Sequence, residues 1–240
     1  MKTNYSLNKD DFVVVLTGAG ISAESGIKTF RDSDGLWENH PVEEVATPQG
    51  YRANPKLVWE FYKQRYNQLS EVEPNPGHFA LAKLEEFLGE RFCLITQNVD
   101  DLHRRAGTKN LLEMHGQLTS CFCTKCNEHF AVKDIDLDKD IPPCLSCDGL
   151  LRPDIVWFGE MPYFMDQIDE ALRKATLFMT IGTSGQVYPA AQFLLLARSY
   201  GIRTLGVNLT EPENRSFIEE FHRGKSGEVL PELIDLLIKE

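Results

Sequence analysis

Apolar residues cluster in short runs that set the expected architecture. Phe12 to Leu16, rich in β-branched side chains, breaks off at Thr17-Gly18-Ala19-Gly20, the pattern of a buried strand running into a glycine turn. Runs of the same kind recur at Phe92 to Thr96, Leu177 to Ile181 and Thr204 to Asn208. Between them, helical spacing of apolar positions predicts helices over about Asn75 to Leu88, Asp166 to Lys174, Pro189 to Tyr200 and Pro231 to Lys239. Short apolar strands alternating with amphipathic helices predict an α/β fold, a Rossmann-like parallel sheet with helices on both faces.

Two stretches interrupt the alternation. Pro41 to Leu69 reads as helical, and Gly116 to Leu151 carries cysteines and a charged, proline-bearing excursion, DIDLDKDIPP. Both read as insertions. The predicted division is a discontinuous Rossmann-like domain (1–40, 70–115 and 159–240), a helical module (41–69) and a small cysteine-bearing domain (116–158).

At 240 residues the chain can bury a sizeable core, and its 42% apolar and 25% charged residues are ordinary globular usage. Its 36 acidic against 25 basic side chains give a formal charge of -11, which argues against nucleic acid as the main partner and tolerates Lys-rich protein segments. The opening MKTNYSLNKDDF has no apolar core of a signal peptide, and no apolar run is long enough to span a bilayer, so a cytoplasmic protein with no membrane partner is expected. The sequence leaves the oligomeric state open, a monomer included.

Cysteine usage points the same way. Cys123 and Cys126 form one C-x-x-C pair, and Cys144 and Cys147 form a second beyond the 17 residues from 127 to 143. That spacing is a zinc signal, and four thiolate ligands leave no open position for a catalytic water, so one structural zinc per chain is predicted. Four core cysteines or two disulfides are the competing reading. Cys121 lacks the x-x spacing to Cys126, and Cys93 sits in an apolar run as a small hydrophobe.

The turn Gly18 to Gly26 follows a strand, where backbone N–H groups can accept phosphates, yet its spacing departs from the dinucleotide fingerprint and by itself equally suits a plain tight turn. Further motifs add to it in order: Gly26-Ile27-Lys28-Thr29-Phe30-Arg31-Asp32, Gly35-Leu36-Trp37, Thr96-Gln97-Asn98-Val99-Asp100, His115-Gly116 and Gly182-Thr183-Ser184. This set resembles the sirtuin family over nearly the whole chain. The resemblance implies an enzyme that consumes NAD to remove acyl groups from lysine side chains of proteins, yielding nicotinamide, free lysine and O-acyl-ADP-ribose.

The resemblance also implies site residues. Gly18, Ala19 and Ser22 would contact the NAD pyrophosphate and Arg31 would help hold the flexible loop and a phosphate, with Gly20, Glu24, Phe30 and Trp37 also on the cofactor. Gly182, Thr183, Ser184, Asn208 and Ser226 would line the adenosine half. Gln97, Asn98 and Val99 would face the ribose, and Asp100 would receive the nicotinamide carboxamide. Without the family, Asn98 and Asp100 would read as caps of a helix beginning near Asp101. His115, whose imidazole titrates near neutrality, is assigned as general base for a ribose hydroxyl, with Asn98 and Asp100 completing the catalytic set. The other five histidines lack a comparable motif.

Val156, Trp157, Phe158 and Gly159 are expected to hold the substrate peptide; read alone, Ile155 to Phe158 is an ordinary strand. Tyr62 and Arg65 lie three apart on the predicted helix, and this Tyr-x-x-Arg pair resembles the bacterial sirtuins that also remove succinyl groups. A guanidinium fork binds a carboxylate through two hydrogen bonds, so succinyl-lysine and malonyl-lysine join acetyl-lysine as expected substrates. Asp32 departs from that class by adding a carboxylate near the pocket, which works against anionic groups. The alternatives are an NAD-dependent ADP-ribosyltransferase and, from another class, a zinc-stabilised binding module without catalysis.

Overall fold

The computed structural model describes residues 2–28, 36–37 and 40–239. Along them, β1 (Val13–Thr17) precedes a ribbon of β2 (Leu36–Trp37) and β3 (His40–Pro41), then helices α1 (Val42–Val45), α2 (Pro48–Ala53) and α3 (Pro55–Gln68). Next come α4 (Pro76–Leu88), β4 (Phe92–Thr96), α5 (Leu102–Arg105) and β5 (Leu111–Glu113). β6 (Gly116–Cys123), β7 (His129–Ala131) and β8 (Leu151–Ile155) follow, and the chain ends with α6 (Met165–Lys174), β9 (Leu177–Ile181), α7 (Ala190–Ser199), β10 (Arg203–Asn208), β11 (Glu220–Arg223) and α8 (Ser226–Leu237).

The central sheet is parallel, in the order β11-β10-β9-β1-β4-β5. The chain therefore winds from β1 to one edge and then returns to wind to the other, the doubly wound order whose reversal leaves a crevice at the carboxyl end of β1. Alternate residues of β1 serve opposite faces. Val13 and Val15 pack with α4 and α8, whereas Val14 and Leu16 pack with α6 and α7. Burial on both faces explains the uninterrupted apolar runs and confirms the expected fold class.

The edge strands β5 and β11 were not anticipated. β5 has three residues and β11 reads Glu-Phe-His-Arg, so neither carries the apolar run of a strand covered on both faces. α8 begins five residues before the expected Pro231, which lies inside the helix. A proline is favoured in the first turn, which is why it was read as the start.

The helical module and the cysteine module share packing. Val58, Phe61 and Tyr62 of the module meet Leu118, Ile155 and Trp157, and Trp59 reaches into the cysteine cluster with Cys121, Cys123, Cys144 and Leu151. Tyr51 Oη and Trp59 Nε1 both donate to the Leu151 carbonyl, at 2.8 Å each. The cysteine module is an antiparallel sheet, β7-β6-β8. Its strand β8 ends at Ile155 instead of occupying 155–158 as expected; Pro153 is accommodated there because β8 is an edge strand with an unpaired side. Among the described residues no helix is long and apolar enough to cross a membrane.

Candidate functional site

The carboxyl ends of the central strands open into a cavity of about 860 Å³, within the range of ligand pockets. Its walls are the segments leaving each strand: Gly18 to Gly20 after β1, Gln97 to Asp100 after β4, Gly182 to Ser184 after β9, Asn208 after β10 and Ser226 at the start of α8. Glu24, Trp37 and Val99 also face it. The sheet order puts these groups together although up to about two hundred residues separate them, which is why a ligand lies at such a switch point.

The glycines serve the crossing of two loops. Gly18 N–H donates to the Ile181 carbonyl (3.0 Å) and Gly20 N–H to the Gly182 carbonyl (2.8 Å). A Cβ on Gly18 would stand 2.8 Å from that same Gly182 oxygen, and one on Gly20 would stand 2.7 Å from the Gly182 Cα. Gly182 itself has φ +62°, so no side chain is tolerated on either partner without displacement. Across the cavity, Asn208 Nδ2 donates to the Thr183 carbonyl (2.8 Å) and Gln97 Nε2 to Thr183 Oγ1 (3.2 Å), tying the ends of β10, β9 and β4. Glu24 accepts the Gly227 N–H at 2.6 Å and anchors the first turn of α8.

Ser22 is fully buried and sits behind the wall. Its hydroxyl donates to Asp100 Oδ2 (2.9 Å) and accepts from Asn98 Nδ2 (3.1 Å). His78, unforeseen in the sequence, stands behind it: His78 Nδ1 accepts the Asn75 N–H, so Nε2–H faces the Ser22 hydroxyl at 3.4 Å. Burial lowers His78 to about 4 and keeps it neutral. His103, also buried, packs against it with ring centroids 4.8 Å apart. Two of the other five histidines therefore lie buried behind the wall of the site. The signal for His78 was its place three residues after the helix-capping Asn75, in a capping box whose usual partner is Glu or Gln.

Asp100 fulfils both readings of its motif. Its Oδ1 accepts the Leu102 N–H at the start of α5 (3.1 Å), while its side chain lines the cavity. Burial raises its carboxyl from 3.8 to about 6 against the hydrogen bonds from Leu102 and Ser22. Between those two values the folded chain keeps a proton that the unfolded chain has lost, so stability falls as pH rises, and the cost is complete above about pH 6. Asp100→Asn is expected to remove this term, worth at most about 3 kcal/mol by linkage. Thermal melts of both proteins between about pH 4 and pH 7 should diverge in favour of the variant as pH rises; parallel curves would contradict this.

His115 lies between β5 and β6, and its ring lines the cavity. Nδ1–H donates to the Gln97 carbonyl (3.0 Å), which fixes the tautomer and leaves the Nε2 lone pair as the basic site. Burial lowers its pKa, with the Gln97 bond opposing, so the ring is neutral at neutral pH. Gly116 must be glycine: at φ +80°, a Cβ there would stand 2.0 Å from the Asp154 carbonyl oxygen.

The predicted metal ligands converge. The sulfurs of Cys123, Cys126, Cys144 and Cys147 lie within 4.8 Å of one another, with Cys123 to Cys147 at 3.6 Å and Cys126 to Cys144 at 3.7 Å. Zinc–sulfur bonds of about 2.3 Å in a tetrahedron place sulfurs about 3.8 Å apart, so the set fits zinc. Backbone N–H groups of Lys125 and Cys126 point at the Cys123 sulfur, and a Cβ on Gly149 would come 2.7 Å from it. The Cys126 bond leads in lowering the Cys123 thiol to about 6. Cys121 stays outside the cluster; its thiol donates to the Phe130 carbonyl and burial pushes it up to about 12.

At the other end of the cavity Arg65 lines the wall and stacks over Phe61, 4.6 Å from the ring centroid. Tyr62 does not share that position: it is buried behind the wall, and its hydroxyl accepts from Trp157 Nε1 at 3.0 Å. Val156, Trp157, Phe158 and Gly159 border the cavity just beyond β8, where the chain turns at Phe158 and Gly159. Within it, Val156 N–H donates to the His115 carbonyl (2.9 Å) and Phe158 N–H to the Ala46 carbonyl (3.0 Å). Phe30, Arg31 and Asp32 lie outside the described residues.

A doubly wound sheet with a dinucleotide-sized crevice, a buried carboxylate and a fixed neutral imidazole defines a nucleotide-dependent α/β enzyme class. Residues 18–189 match the model of the Sir2 family, and the chain belongs to that family. It is 51% identical over 227 residues to an NAD-dependent protein deacylase of Pasteurella multocida, covering 94% of this chain and 97% of the relative. A Bdellovibrio bacteriovorus protein of the same name is 52% identical over 225 residues, covering 92% and 94%. A Sir2 homologue solved in complex with NAD is 41% identical, with a TM-score of 0.86 over 94% of this chain and 88% of that one. A Sir2 structure holding a p53 peptide and NAD+ is 32% identical, with a TM-score of 0.82 over 93% and 92%.

Proposed function

We propose that this chain is an NAD-dependent protein deacylase that removes acetyl, succinyl and malonyl groups from lysine side chains, in the cytoplasm, with one structural zinc. The observation that carries the reading is the neutral His115 ring, tied through Nδ1 to the Gln97 carbonyl, in a crevice whose other walls suit a dinucleotide. The names of relatives about half identical over nearly their full lengths support it. In this reading 1–40, 70–115 and 159–240 form a Rossmann-like domain for NAD, beside the helical module 41–69 and the zinc module 116–158.

Bound NAD would supply an activated ribosyl carbon with nicotinamide as its leaving group. Gly18, Ala19 and Gly20 would lie along the pyrophosphate, with Gly182, Thr183, Ser184, Asn208 and Ser226 around the adenosine. Gln97 and Asn98 would hold ribose hydroxyls, with Asp100 receiving the carboxamide. Asn98 is oriented for this by the buried Ser22 hydroxyl, which fixes its amide. His115 Nε2 takes a proton from a hydroxyl, and the cation so formed keeps its Nδ1–H bond to Gln97. Incubating the pure protein with NAD and matched acetyl, succinyl and malonyl peptides, while following nicotinamide and peptide by mass, tests the reading. Nicotinamide release that does not depend on the acyl group would favour the ADP-ribosyltransferase instead.

Acyl choice rests on Arg65. A guanidinium at the wall can pair with a terminal carboxylate, while acetyl offers it nothing. Arg65→Met is expected to lower kcat/KM on succinyl peptide about a hundredfold and on acetyl peptide no more than about threefold. Equal losses on both would show that Arg65 serves the fold alone. Tyr62, held by Trp157, retains its own hydroxyl proton to donate, and contributes only where the wall admits the acyl group to it.

A further inference from the structure

Outside the groups already assigned, the cysteine module and the peptide-facing segment are joined by a buried ion pair. Arg152, on β8, donates from Nη1 to Glu160 Oε1 (2.7 Å) and from Nη2 to Glu160 Oε2 (3.0 Å), and Nη2 also reaches the Ile155 carbonyl (2.8 Å). Only 10% of the Arg152 side chain and 29% of that of Glu160 is exposed. The guanidinium carbon lies 3.4 Å from the Trp157 ring centroid, and Phe122 flanks it at 4.9 Å. Glu160 Oε2 in turn accepts the Trp157 N–H (2.9 Å), and the Glu160 N–H closes a turn onto the Trp157 carbonyl (2.9 Å).

One bidentate pair therefore fixes both ends of the turn Trp157 to Glu160. A fork-to-fork pair constrains orientation as well as distance, and a guanidinium stacked on an indole resists rotation. Between the two fixed points lie Phe158 and Gly159, whose Phe158 side chain is exposed at the cavity. The same Trp157 donates its indole N–H to Tyr62, so the clamp also sets that hydroxyl.

We propose that Arg152 and Glu160 are positioning residues for the acylated peptide, holding the Trp157–Glu160 turn in the conformation that receives it. This rests on the reading that the peptide binds along Val156 to Gly159. Removing one partner of a buried pair leaves an uncompensated charge and destabilises, whereas replacing both by apolar groups of similar size is often neutral. Stability and positioning can thus be separated.

In Glu160→Ala, the KM for acyl peptide should rise about tenfold or more, while the dissociation constant for NAD changes less than about twofold and the melting temperature falls. In the double variant Arg152→Met with Glu160→Met, the melting temperature should return toward that of the wild type while the peptide KM stays raised, because the Trp157 N–H acceptor is still missing. A KM that recovers with stability, or an unaltered KM in Glu160→Ala, overturns the proposal. Placement of the peptide is tested separately: an acyl peptide carrying a photo-crosslinker should attach to residues 156–159 of the wild type. Attachment elsewhere defeats the placement and the proposal with it, and attachment there with an unaltered KM in Glu160→Ala defeats the proposal alone.

Discussion

His115→Ala is expected to lower deacylation about a hundredfold to ten-thousandfold while the protein remains folded and binds NAD. Met114 N–H donates to the Thr96 carbonyl and the His115 carbonyl accepts from Val156, so residue 115 is held between the sheet and the segment after β8 by main-chain bonds that any side chain preserves. What the substitution removes is the ring, with its one bond to Gln97 and its free Nε2. The ring is half-buried and fills no part of the main core, so the loss should fall on chemistry. Nucleotide affinity by calorimetry and turnover by mass would be measured on the same preparation. Turnover near that of the wild type would remove His115 from the mechanism.

The pH profile gives an independent check on the same group. Burial lowers the His115 pKa, so the basic form persists below the ordinary imidazole range. The acid limb of the rate profile for the free enzyme should therefore fall at a pH lower than an exposed histidine would give. Its opposing partner is absent from the sequence motif: nothing in His-Gly announces that Gln97, eighteen residues earlier, supplies the carbonyl.

That pairing illustrates what was legible beforehand. The four inner strands read clearly because each is covered on both faces and so must be apolar throughout. The edges β5 and β11 need no such run and escaped notice. Motif order marks which segments meet at the cavity, but not how their side chains are turned. Nothing in the glycine-turn motif shows that the Ser22 hydroxyl is buried among Asp100, Asn98 and His78, contacts that only the folding of β1, β4 and α4 against one another creates. Likewise Tyr62 and Arg65 share a helix face by spacing, yet the Trp157 indole takes Tyr62 into the wall and leaves Arg65 at the cavity. The cysteines were the opposite case, since two C-x-x-C pairs announce a four-sulfur cluster by their spacing.

Those cysteines carry the second large expectation. Besides three cysteines, segment 116–155 supplies only Val132, Ile135 and Leu151 to the buried part of its cluster, which Trp59 from α3 completes. A segment of that size seldom folds without metal or disulfides, and structural zinc sites in small domains contribute about 10 kcal/mol or more to folding. Stripping the metal with a chelator, or introducing Cys144→Ser, should therefore disorder β6 to β8. Leu151 would leave the hydrogen bonds of Tyr51 and Trp59, Arg152 would leave Trp157, and the peptide-facing segment would lose its support. The cavity walls proposed for adenosine stand on β9, β10 and α8, which the module does not build. The expected result is loss of acyl-peptide turnover together with retention of ADP-ribose binding, weakened no more than about tenfold, read by calorimetry beside metal analysis. Freshly purified reduced protein with no zinc and full turnover would refute the metal assignment. Equal loss of ADP-ribose and peptide binding would show instead that the module and the sheet unfold as one unit.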